Sequence, residues 1–215
     1  MNLRVKGSKL KLKAKEHWEN VYKTKSPKEV SWFQESPEVS MNLINRFAQS
    51  KESALIDVGG GASRLIDQLL LEGFNNTTVL DISEFALNHS KERLGENKSQ
   101  VNWITQDIKE FTTQKKFDIW HDRALFHFFN SQEEKKSYLK NLDLSLKKGG
   151  FAILFAFSEE GPLKCSGLEI TRYDESAMVS LFEPNFKCIH FQKETHLTPA
   201  NKKQHFNIWV FQKGQ

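Results

Sequence analysis

Cysteine is scarce in this chain: Cys165 and Cys188 are the only two in 215 residues. Two are too few for a disulfide framework. Neither lies near histidines at metal-ligand spacing, so no metal site is expected. No apolar stretch approaches the roughly 20 residues that span a bilayer. The basic N-terminus is not followed by an apolar segment, so it does not read as a secretory signal. Internal repeats, low-complexity blocks and a recognisable linker are also missing. What remains is the expectation of one soluble, cytoplasmic α/β domain of ordinary size. Its core material is ample, with 17 Phe and five Trp.

Acidic residues are absent from the first fifteen positions, which carry Arg4, Lys6, Lys9, Lys11, Lys13 and Lys15. The whole chain is +4, so taking away these six leaves −2 for the rest. The body therefore offers no basic stripe for nucleic acid. Residues 1–15 read as a solvated, partly disordered tail, with an acidic or nucleic-acid partner as the sharper alternative. Residues 16–50 read as a helical cap segment, and residues 51–215 as the main domain.

Short apolar runs alternate with helical patterns beyond residue 50. Strands are expected at 54–58, 77–80, 101–105, 117–120 and 151–157, the last apolar throughout and so buried on both faces. Helices are expected at 64–71, from the Ser83 cap to 94, and from the Ser131 cap to 146. Lys147 and Lys148 would complement that last helix's dipole, and Gly149-Gly150 would end it. Gly73 would close the helix before it. Upstream, a helix from Lys15 is broken near Pro27. Ser36-Pro37-Glu38 opens another helix, with Ser36 as its cap. Residues 158–172 read as a loop, 174–182 as a short helix, and 187–194 with 205–211 as an antiparallel pair.

Three of the strands end in an acid: Asp57, Asp81 and Asp107. The first acid opens into Gly59-Gly60-Gly61. Strand, acid and turn, repeated in register, line a nucleoside pocket at the carboxyl ends of an open parallel sheet. A dinucleotide fingerprint needs a third glycine where Arg64 stands, and a P-loop needs a Lys that is absent. Asp57 would repel a pyrophosphate but attract the ammonium and sulfonium of S-adenosylmethionine (SAM). Two opposite charges at about 4 Å gain roughly 4 kcal/mol at an effective dielectric of 20, before desolvation. Asp81, with Ile82 beside it, suits the ribose hydroxyls. Asp107 suits an adenine amino group, with the Ile108 N–H facing a ring nitrogen. Each acid taken alone is also an ordinary turn residue.

With these residues in place, the chain resembles the class I, seven-stranded SAM-dependent methyltransferases. Asp57-Val-Gly-Gly-Gly-Ala-Ser63 is similar to that family's first motif, with Ser63 in place of its last glycine. The resemblance implies a three-layer α/β/α, Rossmann-like fold. Its strand order would be 3-2-1-4-5-7-6, mostly parallel with an antiparallel last strand. Phe117 to His127 resembles the fourth motif and its continuation. Its Asp122-Arg123-Ala124 is similar to two subgroups, the elongation factor 1A lysine methyltransferases and the thiopurine and thiol methyltransferases. Both carry an aromatic N-terminal segment like Trp18, Tyr22, Trp32 and Phe33, which commonly covers the cofactor. The Asn/Asp-Pro-Pro-Tyr motif of adenine and glutamine enzymes is absent, as is the Pro-Cys pair of cytosine C5 enzymes.

The acceptor stays open at this level. A neutral lysine amine at pH 7 costs roughly 4.6 kcal/mol and a thiolate only about 2. A lysine enzyme therefore wants a carboxylate and a proton path, for which Asp122 and His121 are the candidates. His121 could instead contact cofactor. A thiol enzyme wants an apolar pocket with Arg123 near the anion, and His127 and Phe33 are further substrate-side candidates. The expected activity is methyl transfer from SAM, giving S-adenosylhomocysteine, to a protein lysine or to a small molecule. A silent SAM-binding module and a dinucleotide oxidoreductase are the alternatives of another class.

Overall fold

The computed structural model describes residues 3–215, with side chains from Lys13 onward. Seven strands form the main sheet: β1 Leu55–Val58, β2 Thr77–Asp81, β3 Val101–Thr105, β4 Phe117–Arg123, β5 Leu146–Phe157, β6 Phe186–Leu197 and β7 Lys203–Lys213. Their spatial order is β3-β2-β1-β4-β5-β7-β6. The first five run parallel, and β7 pairs antiparallel with both β5 and β6. The expected order and the antiparallel last strand are both present. Strand order reverses at β1, so the crevice lies between β1 and β4, where ligands bind in such sheets.

Helices cover both faces: α1 Leu3–Thr24, α2 Glu38–Phe47, α3 Leu65–Leu71, α4 Glu84–Leu94, α5 Gln132–Ser145 and α6 Glu175–Phe182. One face packs Ile44, Leu65, Leu69 and Leu87 on Leu55, Val79, Ile119, Ile153 and Ile208. The other packs Tyr138, Leu142, Met178 and Phe182 on Ile56, Trp120, Leu154 and Trp209. These sets follow the period-two alternation of the strands. Local signals act as expected at several ends. Ser83 accepts from Ala86 N at α4, and Ser131 with Glu134 forms a capping box at α5. Gly73 at φ +86° closes α3, with its N–H on Leu70 O.

Five expectations change. Helix α1 begins at Leu3, so the backbone of the basic stretch joins the helix expected from Lys15. The side chains of residues 1–12, and any partner of theirs, lie outside the description. At α2 the cap is Pro37, with no side-chain bond, rather than Ser36. Helix α5 ends at Ser145, and Lys147 to Gly150 belong to β5. Strand β4 continues to Arg123, three residues further than the apolar run suggested. Within residues 158–172, Lys164–Cys165 and Leu168–Glu169 pair as a short hairpin.

Candidate active site

The glycine turn is shaped by the acids around it. A Cβ on Gly60 would lie 2.4 Å from Asp57 Oδ2, and one on Gly61 would lie 2.8 Å from Asp81 Oδ2. Gly61 also sits at φ +39°, where side chains are disfavoured. The missing side chains let both carboxylates approach the turn. Ser90 on α4 donates to Gly61 O at 2.8 Å, and Arg93 donates to Ala62 O and Ser63 O while pairing with Asp67 at 2.7 Å. These braces were not read from the sequence, because only the fold brings α4 against the turn.

Two cavities open from the turn. The larger, about 290 Å³, is lined by Asp81, Ile82, Asp107, Ile108, Leu125 and Phe128, with Trp18 and Trp32 above. Asp81 Oδ1 accepts from Ser83 N at 2.8 Å. Burial pushes this carboxyl up to about 7, with nearby Asp57 adding to the rise. Asp107 Oδ1 accepts from Lys109 N at 2.9 Å, and its buried Oδ2 has no hydrogen-bond partner. That oxygen faces Lys109 Nζ at 3.7 Å, beyond hydrogen-bond reach, and with the Ile108 N–H beside it fits an adenine amino group. The smaller cavity, about 50 Å³, is lined by Asp57, Gly59, Gly60, Phe33, His121 and Arg123. Trp32, Tyr22, Gly59 and Arg123 border both. An acid flanked by two cations, Arg64 and Arg123, fits the ammonium and carboxylate of an amino-acid tail.

The candidates on β4 divide by face. Asp57 and His121 are register partners on β1 and β4. His121 Nδ1 donates to Asp57 Oδ1 at 2.7 Å, since a carboxylate only accepts, and Nε2 takes the Ser40 hydroxyl at 2.9 Å. Both ring nitrogens are occupied, so His121 orients Asp57 and has none left for an acceptor. Asp122 points through the sheet to the opposite side. Its Oδ2 accepts from Tyr138 O–H at 2.7 Å, and its Oδ1 accepts from Leu125 N and Phe126 N. Burial pushes it up to about 6. Asp122 lines neither cavity, while His121 borders the smaller one with both ring nitrogens engaged, so neither side chain presents a free atom to an acceptor in this arrangement. His127 also lines neither cavity. It is buried and stacked on Phe157 at 4.7 Å, with burial and Arg123 lowering it to about 3.

The cap is built from α1 and the segment after it. Trp32 N–H donates to Tyr22 Oη at 3.2 Å, and Trp18 packs edge-on against Trp32 and Phe128. Glu19 of α1 accepts from the Ser83 hydroxyl and from Glu84 N and Phe85 N, seating its carboxylate on the N-terminus of α4. Arg123 Nη1 donates to Trp32 O at 3.0 Å, tying the cap to β4.

The sheet order and the three acids at the strand ends define a class I methyltransferase fold. A methyltransferase-domain family model matches residues 49–210. The chain belongs to that family and is a SAM-dependent methyltransferase. It is 25% identical over 197 residues to EEF1A lysine methyltransferase 2 of Danio rerio, covering 83% of this chain and 77% of that protein. It is 29% identical over 108 residues to malonyl-[acyl-carrier protein] O-methyltransferase 2 of Ilyobacter polytropus. The match covers 49% of this chain and 40% of that enzyme's length. In fold it is similar to the Burkholderia thailandensis 1,6-didemethyltoxoflavin-N1-methyltransferase, at TM-score 0.70 and 16% identity. That likeness covers 100% of this chain and 92% of the other. Among the described residues no helix is long and apolar enough to cross a membrane.

Proposed function

We propose that this chain transfers the methyl group of SAM to a small polar acceptor held at the carboxyl ends of β4 and β5 and the amino end of β7. Bound SAM supplies a methyl group already activated on a cationic sulfonium. The chain's own work is then to bind, align and exclude water. Asp57, held by His121, would take the ammonium, Asp81 the ribose and Asp107 the adenine. Ile82 and Ile108, with Trp32 as cover, would complete the cofactor shell.

One observation carries the choice of acceptor. Arg123 is half-buried beside both cavities, and its Nε and Nη2 have no protein partner. A guanidinium at that position disfavours an ammonium and favours an anion or a polar oxygen, nitrogen or sulfur. The carboxylate and histidine that would have served a lysine, Asp122 and His121, are committed elsewhere. Cys165, a wall of the larger cavity, is pushed up to about 12 by burial, which supports a packing role over a nucleophilic one.

Protein lysine is the second reading, favoured by the EEF1A methyltransferase relative and its coverage. We place the enzyme in the cytoplasm, a setting that suits its two free cysteines. Labelled SAM incubated with lysate, then split into protein and small-molecule fractions, tests the proposal. Label in the small-molecule fraction supports it, and label confined to protein supports the lysine reading. Label in neither supports a silent SAM-binding module.

A further inference from the structure

We infer that Glu194 and Arg123 form an acceptor-recognition pair, gripping a small molecule that presents an N–H beside an oxygen, nitrogen or sulfur acceptor. This rests on the small-acceptor reading above and adds Glu194, which lies on the antiparallel edge far from every motif in the sequence.

The argument starts from strand register. Glu194 on β6 is the partner of Phe206 on β7, so their side chains share a face. The Arg123 guanidinium stands over the same Phe206 ring, 5.3 Å from its centre. Two opposite charges thus flank one aromatic ring. Each has one contact on the cap: Arg123 Nη1 donates to Trp32 O, and Glu194 Oε1 accepts from Gln34 Nε2 at 3.4 Å. Their remaining atoms, Glu194 Oε2 and Arg123 Nε and Nη2, are buried and make no hydrogen bond, so the pair is not closed on itself. Buried charged groups are rarely left so, because the desolvation cost goes uncompensated. Burial raises the Glu194 carboxyl while Arg123 pulls it back, which is how two charges behave when they sense each other without joining.

The same wall holds further unpartnered atoms: both ring nitrogens of His127 and Gln204 Oε1. His127 stacks on Phe157, which packs on Phe206 at 4.4 Å. The ends of β5, β6 and β7 and the turn after β4 therefore form one buried aromatic wall behind Arg123 and Gln34, the residues through which it meets the cavities. A lysine ammonium meets Arg123 there, and a bare carboxylate or phosphate meets Glu194. The complement of both is a neutral edge with a donor next to an acceptor, as in a cyclic amide or thioamide.

The test uses the full-length protein, labelled SAM and the protein-free fraction of a cell lysate below about 3 kDa as acceptor probe, with wild type, Glu194→Gln and Arg123→Gln compared. The expected result is transfer reduced about tenfold or more in both variants, with the SAM affinity of Glu194→Gln by calorimetry within about threefold of wild type. The labelled product, identified by mass spectrometry, should carry an N–H/acceptor edge. Transfer by Glu194→Gln reduced less than about tenfold overturns the inference, as does a product without such an edge. So does a SAM affinity that falls in step with transfer, which would assign Glu194 to holding the cap through Gln34. Label confined to proteins in whole lysate overturns the small-acceptor reading, and this inference with it. Undiminished small-molecule labelling by Glu194→Gln overturns this inference alone.

Discussion

Trp120, His121, Asp122 and Arg123 alternate across β4 and divide their work by face. His121 and Arg123 face the cofactor side, where one steadies Asp57 and the other borders both cavities. Trp120 and Asp122 face α5, where Tyr138 O–H donates to Asp122 and accepts from the Trp120 N–H. That division was not legible in the sequence. With β4 ending at Trp120 the next residues had no assigned face, and an acid and a histidine near a motif look catalytic. The three strand-end acids were legible, because each closes an apolar run. Asp122→Asn should lower unfolding stability by about 1–3 kcal/mol in urea titrations, since a buried network loses an acceptor. SAM affinity of the folded fraction should stay within about threefold. Unchanged stability with abolished methyl transfer would restore Asp122 to catalysis.

At the scale of elements, the cap over the cofactor crevice depends on how α1 is seated. Glu19 places its carboxylate where three donors at the start of α4 converge, and a helix N-terminus favours negative charge. His89 adds a contact from α4 to Tyr22 O at 2.9 Å. Glu19→Ala should loosen α1, and SAM affinity by calorimetry should fall about five- to tenfold, because Trp18, Tyr22 and Trp32 lose their support. Affinity equal to wild type would mean that the cap contributes nothing to cofactor binding. The aromatic segment itself was readable from sequence, but Glu19 was not, since its partners lie more than sixty residues away. The start of β5 was misread for a local reason. Two lysines and two glycines after a helical run look like a helix terminus. Here Leu146 already pairs with Phe117, and Gly149 at φ +72° absorbs a register slip before Phe151 pairs with Ile119.

For the whole molecule, the pattern of strand, acid and turn announced the sheet and its crevice, and the family resemblance implied the strand order. The acceptor wall was hidden, because it is assembled from β4, β5, β6 and β7 and exists only once the antiparallel pair folds back. The same sheet buries acids, and that sets a pH dependence. Asp81 is raised to about 7 and Asp122 to about 6 by burial. A carboxyl raised on folding favours the native state while protonated, and that favour is lost as pH climbs through the folded value. Buried His127, lowered to about 3, acts oppositely, as do His17 and His196, which burial also lowers. Between about pH 6.5 and 8.5 the Asp81 effect is therefore read against Asp81→Asn, which keeps all three histidines. Relative to that variant the cofactor-free protein should lose about 1 kcal/mol over the window, or about 2–4 °C in melting temperature. A melting-temperature difference between wild type and Asp81→Asn that stays constant over that range would contradict the buried-acid account.

The cofactor assignment turns on charge at the first strand end. Isothermal titration of SAM into wild type and Asp57→Asn measures it directly, with NAD as the control ligand. Wild type should bind SAM and not NAD, and the neutral variant should lose about thirtyfold or more in SAM affinity, roughly 2 kcal/mol. Equal SAM affinity in the two proteins, or NAD binding to either, would contradict a site built to receive a cation.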